Sequence, residues 1–170
     1  MTRAAALVTV LLVFVPALAA DDERFCAPLS EVIASAEQRD RLAAITGVDA
    51  GMHYETTTSL PGAEFCFSSP NDYPEATWRC LAGSQGKYTL ALQLHGKVES
   101  RIESCLGSEW TSETKREGAY LMQTIFTQEG NPVRVEVATT KQVTPSHGWR
   151  SHRVVVVVYS PREDVAAASD

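Results

Sequence analysis

Apolar residues recur at three-and-four spacing in two stretches of the chain and at alternate positions in several shorter ones. In the first stretch, Leu29, Val32, Ile33 and Ala36 mark one face, which continues with some drift through Leu42 and Ile45. Pro28 suits a first turn and Gly47 a stop, so the spacing predicts a helix over 25–45. In the second stretch, Tyr88, Ala91, Leu92, His95, Val98, Ile102, Cys105 and Leu106 share one helical face behind the turn Gly83-Ser84-Gln85-Gly86. Gly107 ends it, and Trp110 is expected to pack back onto that end.

The remaining pattern is that of strands. Residues 52–59 form a Thr-rich candidate, Leu60-Pro61-Gly62 a turn, and 63–67 and 77–81 two short strands joined by the turn-rich 68–74. Beyond the second helix, 119–128 is strand-like and Glu129-Gly130-Asn131-Pro132 a turn. Val133, Val135 and Val137 alternate with Arg134, Glu136 and Ala138, the mark of a half-buried strand. The unbroken valine run 154–158 predicts a central strand covered on both faces. Between these strands, 140–151 is expected as a long hairpin loop, and 161–170 as a flexible, acidic tail. The order α-β-β-β-α-β-β-β predicts an α+β two-layer sandwich, with two helices on one face of a mostly antiparallel sheet. One domain over 21–160 accounts for it, its halves repeating in element order and not in residues.

The start of the chain changes the picture. Residues 1–20 carry a positive Arg3, an apolar run over 4–15, Pro16, and two overlapping small-x-small sites ending at Ala19 and Ala20. This is the pattern of a secretory signal peptide cleaved just before or after Ala20. The apolar run is shorter than the roughly 20 residues that cross a bilayer, and Asp21-Asp22-Glu23 follow at once. The expected product is periplasmic or secreted, with no membrane span after cleavage. A formal net charge of −6 without a basic cluster argues against nucleic acid as a partner.

Export puts the four cysteines in an oxidising compartment, where pairing is the default. Cys66 and Cys80 lie on the two short neighbouring strands, while Cys26 near the start of one helix and Cys105 near the end of the other meet if the helices are antiparallel. The expected cystines are therefore Cys66–Cys80 and Cys26–Cys105. No C-x-x-C pair is present, which weighs against a zinc or redox site. Cys26 near the helix start, the run Leu60-Pro61-Gly62-Ala63-x-x-Cys66, and Cys105-Leu106-Gly107-x-x-Trp110 resemble features of small proteobacterial periplasmic proteins. The element order is similar to that of the secretion-chaperone-like fold, from which a third strand after the second helix departs. The resemblance implies a fold and carries over no substrate and no site residue.

Candidate chemistry is sparse. Gly83-Ser84-Gln85-Gly86 lacks the Gly-Lys-Ser/Thr ending of a phosphate loop and is expected as a helix entry turn. His95 falls on an apolar helix face, where a hydrogen-bonded core histidine is the ordinary explanation. His147 and His152 flank Trp149 and Arg150, a weak arrangement for a metal, and no cofactor is implied. Glu99 and Glu103, with Lys97 and Arg101 nearby, are expected to share a solvated helix face. Long loops on rigid sheets place binding residues, and Trp and Arg are favoured interface anchors. His147, Trp149 and Arg150 are therefore the candidate binding residues. The expected function is a protein-binding module, an inhibitor, immunity factor or chaperone-like accessory, whose partner is another exported or envelope protein. The alternative is a small-molecule or envelope-ligand binder with its site between helices and sheet; a hydrolase ranks third.

Overall fold

The computed structural model describes residues 17–38, 42–51, 53–71, 75–116, 120–144 and 149–161. Two helices, α1 (Ala17–Glu37) and α2 (Tyr88–Leu106), accompany eight strands. In chain order these are β1 (Thr46–Asp49), β2 (Tyr54–Thr56), β3 (Phe65–Ser69), β4 (Glu75–Gln85), β5 (Trp110–Lys115), β6 (Tyr120–Gln128), β7 (Arg134–Thr144) and β8 (Trp149–Pro161). All eight form one sheet in the order β1-β2-β3-β4-β8-β7-β6-β5, and every neighbouring pair is antiparallel. Each helix is followed by a four-stranded meander, and the two meanders meet at the β4–β8 pair. The α+β two-layer class holds, with a sheet wider than the six strands expected.

Strand register assigns the two faces. Trp78 pairs with Val158 and Cys80 with Val156, while Val137 pairs with Val156 and Thr139 with Val154. These residues face the helices: Ser160 Oγ donates to the Ala36 carbonyl of α1 at 2.6 Å, and His95 of α2 reaches Thr139 and Thr124. Phe25, Leu29, Val32 and Ala36 from α1, and Ala91, Val98 and Ile102 from α2, complete one buried cluster with Trp78, Val135, Val154 and Val156. Apolar burial on this scale is the main term opposing chain entropy. Trp78, fully buried, donates its indole N–H to Thr56 Oγ1 and to the Thr58 carbonyl, both at 3.2 Å, so its polar edge is satisfied inside the core.

Several boundaries differ from those expected. Helix α1 starts at Ala17, ahead of the expected cleavage point, so Pro28 lies in its interior and not in its first turn. It ends at Glu37 and not at Ile45; Leu42 takes a left-handed conformation (φ 64°) and opens a short 3₁₀ turn over Ala43–Ile45. Leu42 and Ile45 are buried nonetheless, so the drift of the stripe marks a change of backbone while the core continues. The expected loop 140–151 is mostly strand: β7 continues to Thr144 and β8 begins at Trp149, with Val143 opposite Arg150 and Thr144 opposite Trp149. Gly83, Ser84 and Gln85 belong to the end of β4, leaving Gly86 and Lys87 as the entry to α2. A register shift between Leu81 and Gly83 turns Gly83 towards α2, where a Cβ would stand 2.9 Å from Leu94 Cδ2.

Both expected cystines are present. Cys66 and Cys80 are cross-strand partners in β3 and β4, and Cys26–Cys105 ties α1 to the last turn of α2 across 79 residues of sequence. If the cross-links act by restricting the unfolded chain, the longer closure contributes more, about 4.5 kcal/mol against about 3 kcal/mol. We expect the double variant Cys26→Ala/Cys105→Ala to lose more stability in urea unfolding than Cys66→Ala/Cys80→Ala. The reverse order would show that local packing around Cys80, and not loop closure, sets the cost.

Candidate functional site

The residues first expected to bind are only partly within the described structure. His147 lies outside it, as do the other residues of 145–148. Trp149 and Arg150 have their backbone in β8 and not in a long loop, and their side chains lie outside the description. His152 faces the helix side, its ring 5.7 Å from that of Tyr88 at the start of α2.

The buried polar groups lead to two other places. The first is His95, which has no exposed surface. Its Nδ1 is 2.8 Å from Thr139 Oγ1 and its Nε2 3.2 Å from Thr124 Oγ1. Thr124 donates its hydroxyl proton to Glu99 Oε1 at 3.0 Å, so Nε2 carries the histidine proton and Nδ1 accepts from Thr139. Thr114 of β5 joins the same group through Thr124 at 3.1 Å. Glu99 thus turns towards the sheet and does not share a solvated face with Glu103, while Arg101 stacks over the Phe25 ring at 4.1 Å. This is a hydrogen-bonded strut between α2 and β5–β6–β7, with both ring nitrogens used and the ring closed to solvent.

The second place is the face that no helix among the described residues covers. Register puts Phe65, Leu81, Val155, Ala138 and Gln123 in one row across it, and Phe67, Arg79, Val157, Glu136 and Ile125 in the next. At the β3 side, Phe65 is 51% exposed, stacks with Phe67 at 6.1 Å, and Phe67 meets His53 at 4.8 Å. Towards the centre lies a cleft of about 190 Å³ lined by Arg79, Tyr120, Glu136, Ala138, Thr140, Val155, Val157 and Tyr159. Val155, Val157 and Ala138 are its apolar lining, because alternate residues of the valine strand point this way.

Electrostatics around the cleft are set by charges on β4 and β7 and by Tyr159 of β8. Arg134 grips Glu75 with two parallel bonds of 2.6 and 2.7 Å and lies 3.8 Å from the centre of the Tyr159 ring. The Tyr159 hydroxyl bonds to the Glu136 carboxyl. Burial, then the negative charge of Glu136 and that hydrogen bond, hold the phenol well above its ordinary range, and Arg134 opposes the shift. Tyr159 is therefore a firm proton donor to Glu136. Glu136 itself is only 2% exposed, yet its Oε1 has no hydrogen-bond partner. Leaving a buried acceptor unsatisfied costs about 1–3 kcal/mol, and more when the group is charged.

The alternation of β7 pointed to Arg134 and Glu136 only as solvent-facing positions, and Arg79 and Tyr159 went unremarked. The signal was the valine run itself. The run predicts a strand covered on both faces, but among the described residues helices cover only one; on the other Val155 is half-buried, and Val157 draws its polar partners Arg79 and Glu136 into a partly buried surface. Neither a family model, nor a curated protein, nor a solved structure matches this chain.

The His95 strut has a pH consequence. Burial holds the imidazole below its ordinary value, against the opposite pull of Glu99, so the folded state keeps it neutral. An unfolded histidine titrates near about 6.5. Above that pH neither state takes up the proton; below it the unfolded chain binds it first, and stability falls until the folded-state value is passed. We expect urea-unfolding free energies to be lower at pH 5.5 than at pH 7.5, with a His95 contribution of up to about 1.4 kcal/mol per pH unit. His95→Gln should lose stability at both pH values and remove this part of the slope; an unchanged slope would assign it to carboxylates instead.

Proposed function

We propose that the protein is an exported binding module that receives a protein partner, itself exported or of the cell envelope, on the helix-free face of its sheet. One observation carries the reading: this face combines an exposed aromatic patch at Phe65 and Phe67 with a buried ionic cleft two strands away, whereas the other face is filled by helices. Aromatic and arginine side chains around a partly desolvated centre are the usual anchors of protein recognition. Trp149 and Arg150, first expected to bind from a loop, open the strand that runs through the middle of this face. The two cystines fit an oxidising, exported environment, and the pattern of the first twenty residues supports the same destination.

The cleft also favours a second reading, a small-molecule or envelope-ligand binder. The place expected for such a ligand, between helices and sheet, is occupied by fully buried side chains such as Leu29, Val32, Trp78 and Ile102. The cleft around Glu136 lies on the opposite face.

Two measurements test these readings. A photo-cross-linking amino acid at position 65 should give one discrete adduct in the native compartment, and the same label at Lys97, exposed on α2, should not. Adducts of equal yield at both positions, or none at 65, would reject the face as the docking surface. The intact mass of the protein recovered from the periplasm should begin at Ala20 or Asp21. Recovery of a chain that retains its apolar leader would overturn the assignment to a soluble exported form.

A further inference from the structure

We infer that the cleft on the helix-free face binds a small zwitterion of the α-amino-acid type, its ammonium group on Glu136 and its carboxylate on Arg79. The inference rests on the proposal that this is the binding face, and names what the small-ligand reading would hold there.

Glu136 presents an unused acceptor. Glu136 lines the cleft, is 2% exposed, and has one carboxylate oxygen committed to nothing while Tyr159 serves the carboxyl. A buried carboxylate oxygen asks for a donor, and a charged donor also offsets its charge. A lone cation is nevertheless a poor answer, because the Arg79 side chain lines the same cleft and repels it. A lone anion meets the opposite objection from Glu136. A ligand carrying both charges satisfies both walls at once.

Spacing and size narrow the choice. Arg79 and Glu136 share one row of the sheet with Val157 between them, so their Cα atoms stand two strand spacings apart, roughly 10 Å. Both side chains line the same cleft as Val157. The guanidinium has five N–H donors, enough to take a carboxylate in addition to its contacts within the protein. The cleft volume of about 190 Å³ matches roughly six waters at about 30 Å³ each, the size of a short aliphatic amino acid and well below that of a nucleotide or a drug-sized ligand. Val155 and Val157 offer an apolar surface for an aliphatic side chain, and Tyr120 and Tyr159 flank it.

The test uses three probes of similar shape on the full-length, isotope-labelled protein: L-leucine, L-leucinamide, which lacks the carboxylate, and 4-methylpentanoate, which lacks the ammonium. L-Leucine should cause saturable amide shifts at Glu136, Val157 and Tyr159. L-Leucinamide should bind about tenfold more weakly, and 4-methylpentanoate should leave these resonances in place. Glu136→Gln should abolish the response to L-leucine. Because the probes themselves carry the charge deletions, the comparison holds even if that variant folds poorly. No saturable shift with L-leucine, equal shifts with all three probes, or shifts confined to residues outside the cleft would each overturn the assignment. A cross-link at position 65 that persists without any L-leucine response would overturn the cleft ligand and leave the docking face standing. Loss of both would remove the face.

Discussion

The two halves of the molecule depend on the antiparallel seam between β4 and β8. Without it there are two separate helix-plus-meander units, each with an open central edge. The seam is built from β-branched residues whose restricted side chains suit an extended backbone, Val154 to Val158, facing a β4 that supplies Trp78 and Cys80 on one side and Arg79 and Leu81 on the other. Both helices lie over this region: α1 meets Ser160, and α2 meets Gly83 and Thr139. The Cys26–Cys105 cystine ties one helix to the other.

How much of this was legible in the sequence depended on the range of the interaction. Local periodicity was enough for α2, with Ala91, His95, Val98 and Ile102 buried as spaced, and for the central position of the valine strand. The cystines followed from pairing elements that turned out to be neighbours. Leu42 and Ile45 were recognised as core residues but assigned to the wrong backbone, because an apolar stripe does not record where a helix gives way to a 3₁₀ turn. β5 escaped notice because an edge strand with mostly exposed residues such as Ser112, Glu113 and Lys115 has no apolar alternation to reveal it. The cleft was illegible for a different reason. Arg79, Glu136 and Tyr159 come from three strands, and only the register brings them to one surface.

The two buried polar clusters make an instructive pair. Around His95 each donor has an acceptor, from Thr139 through the ring to Thr124 and Glu99, and the group acts as a tie between layers. Around Glu136 the carboxylate Oε1 has no hydrogen-bond partner, and it is on the side of the sheet that no helix among the described residues covers. A satisfied network fixes structure, whereas an unsatisfied group beside a cleft keeps interaction energy in reserve for something from outside.

The topology also sets an order of assembly. Every strand pairing except the seam joins chain neighbours, so the hairpins within each meander can close on the microsecond scale, while the seam must wait for distant segments to meet. Once Cys26 and Cys105 are joined, β1 to β4 lie within a covalent ring and β8 lies outside it. As the chain emerges from its N-terminal side, β4 stands as a bare edge until β8, the last strand among the described residues, docks beside it. The strand at the middle of the finished sheet is the one that arrives last.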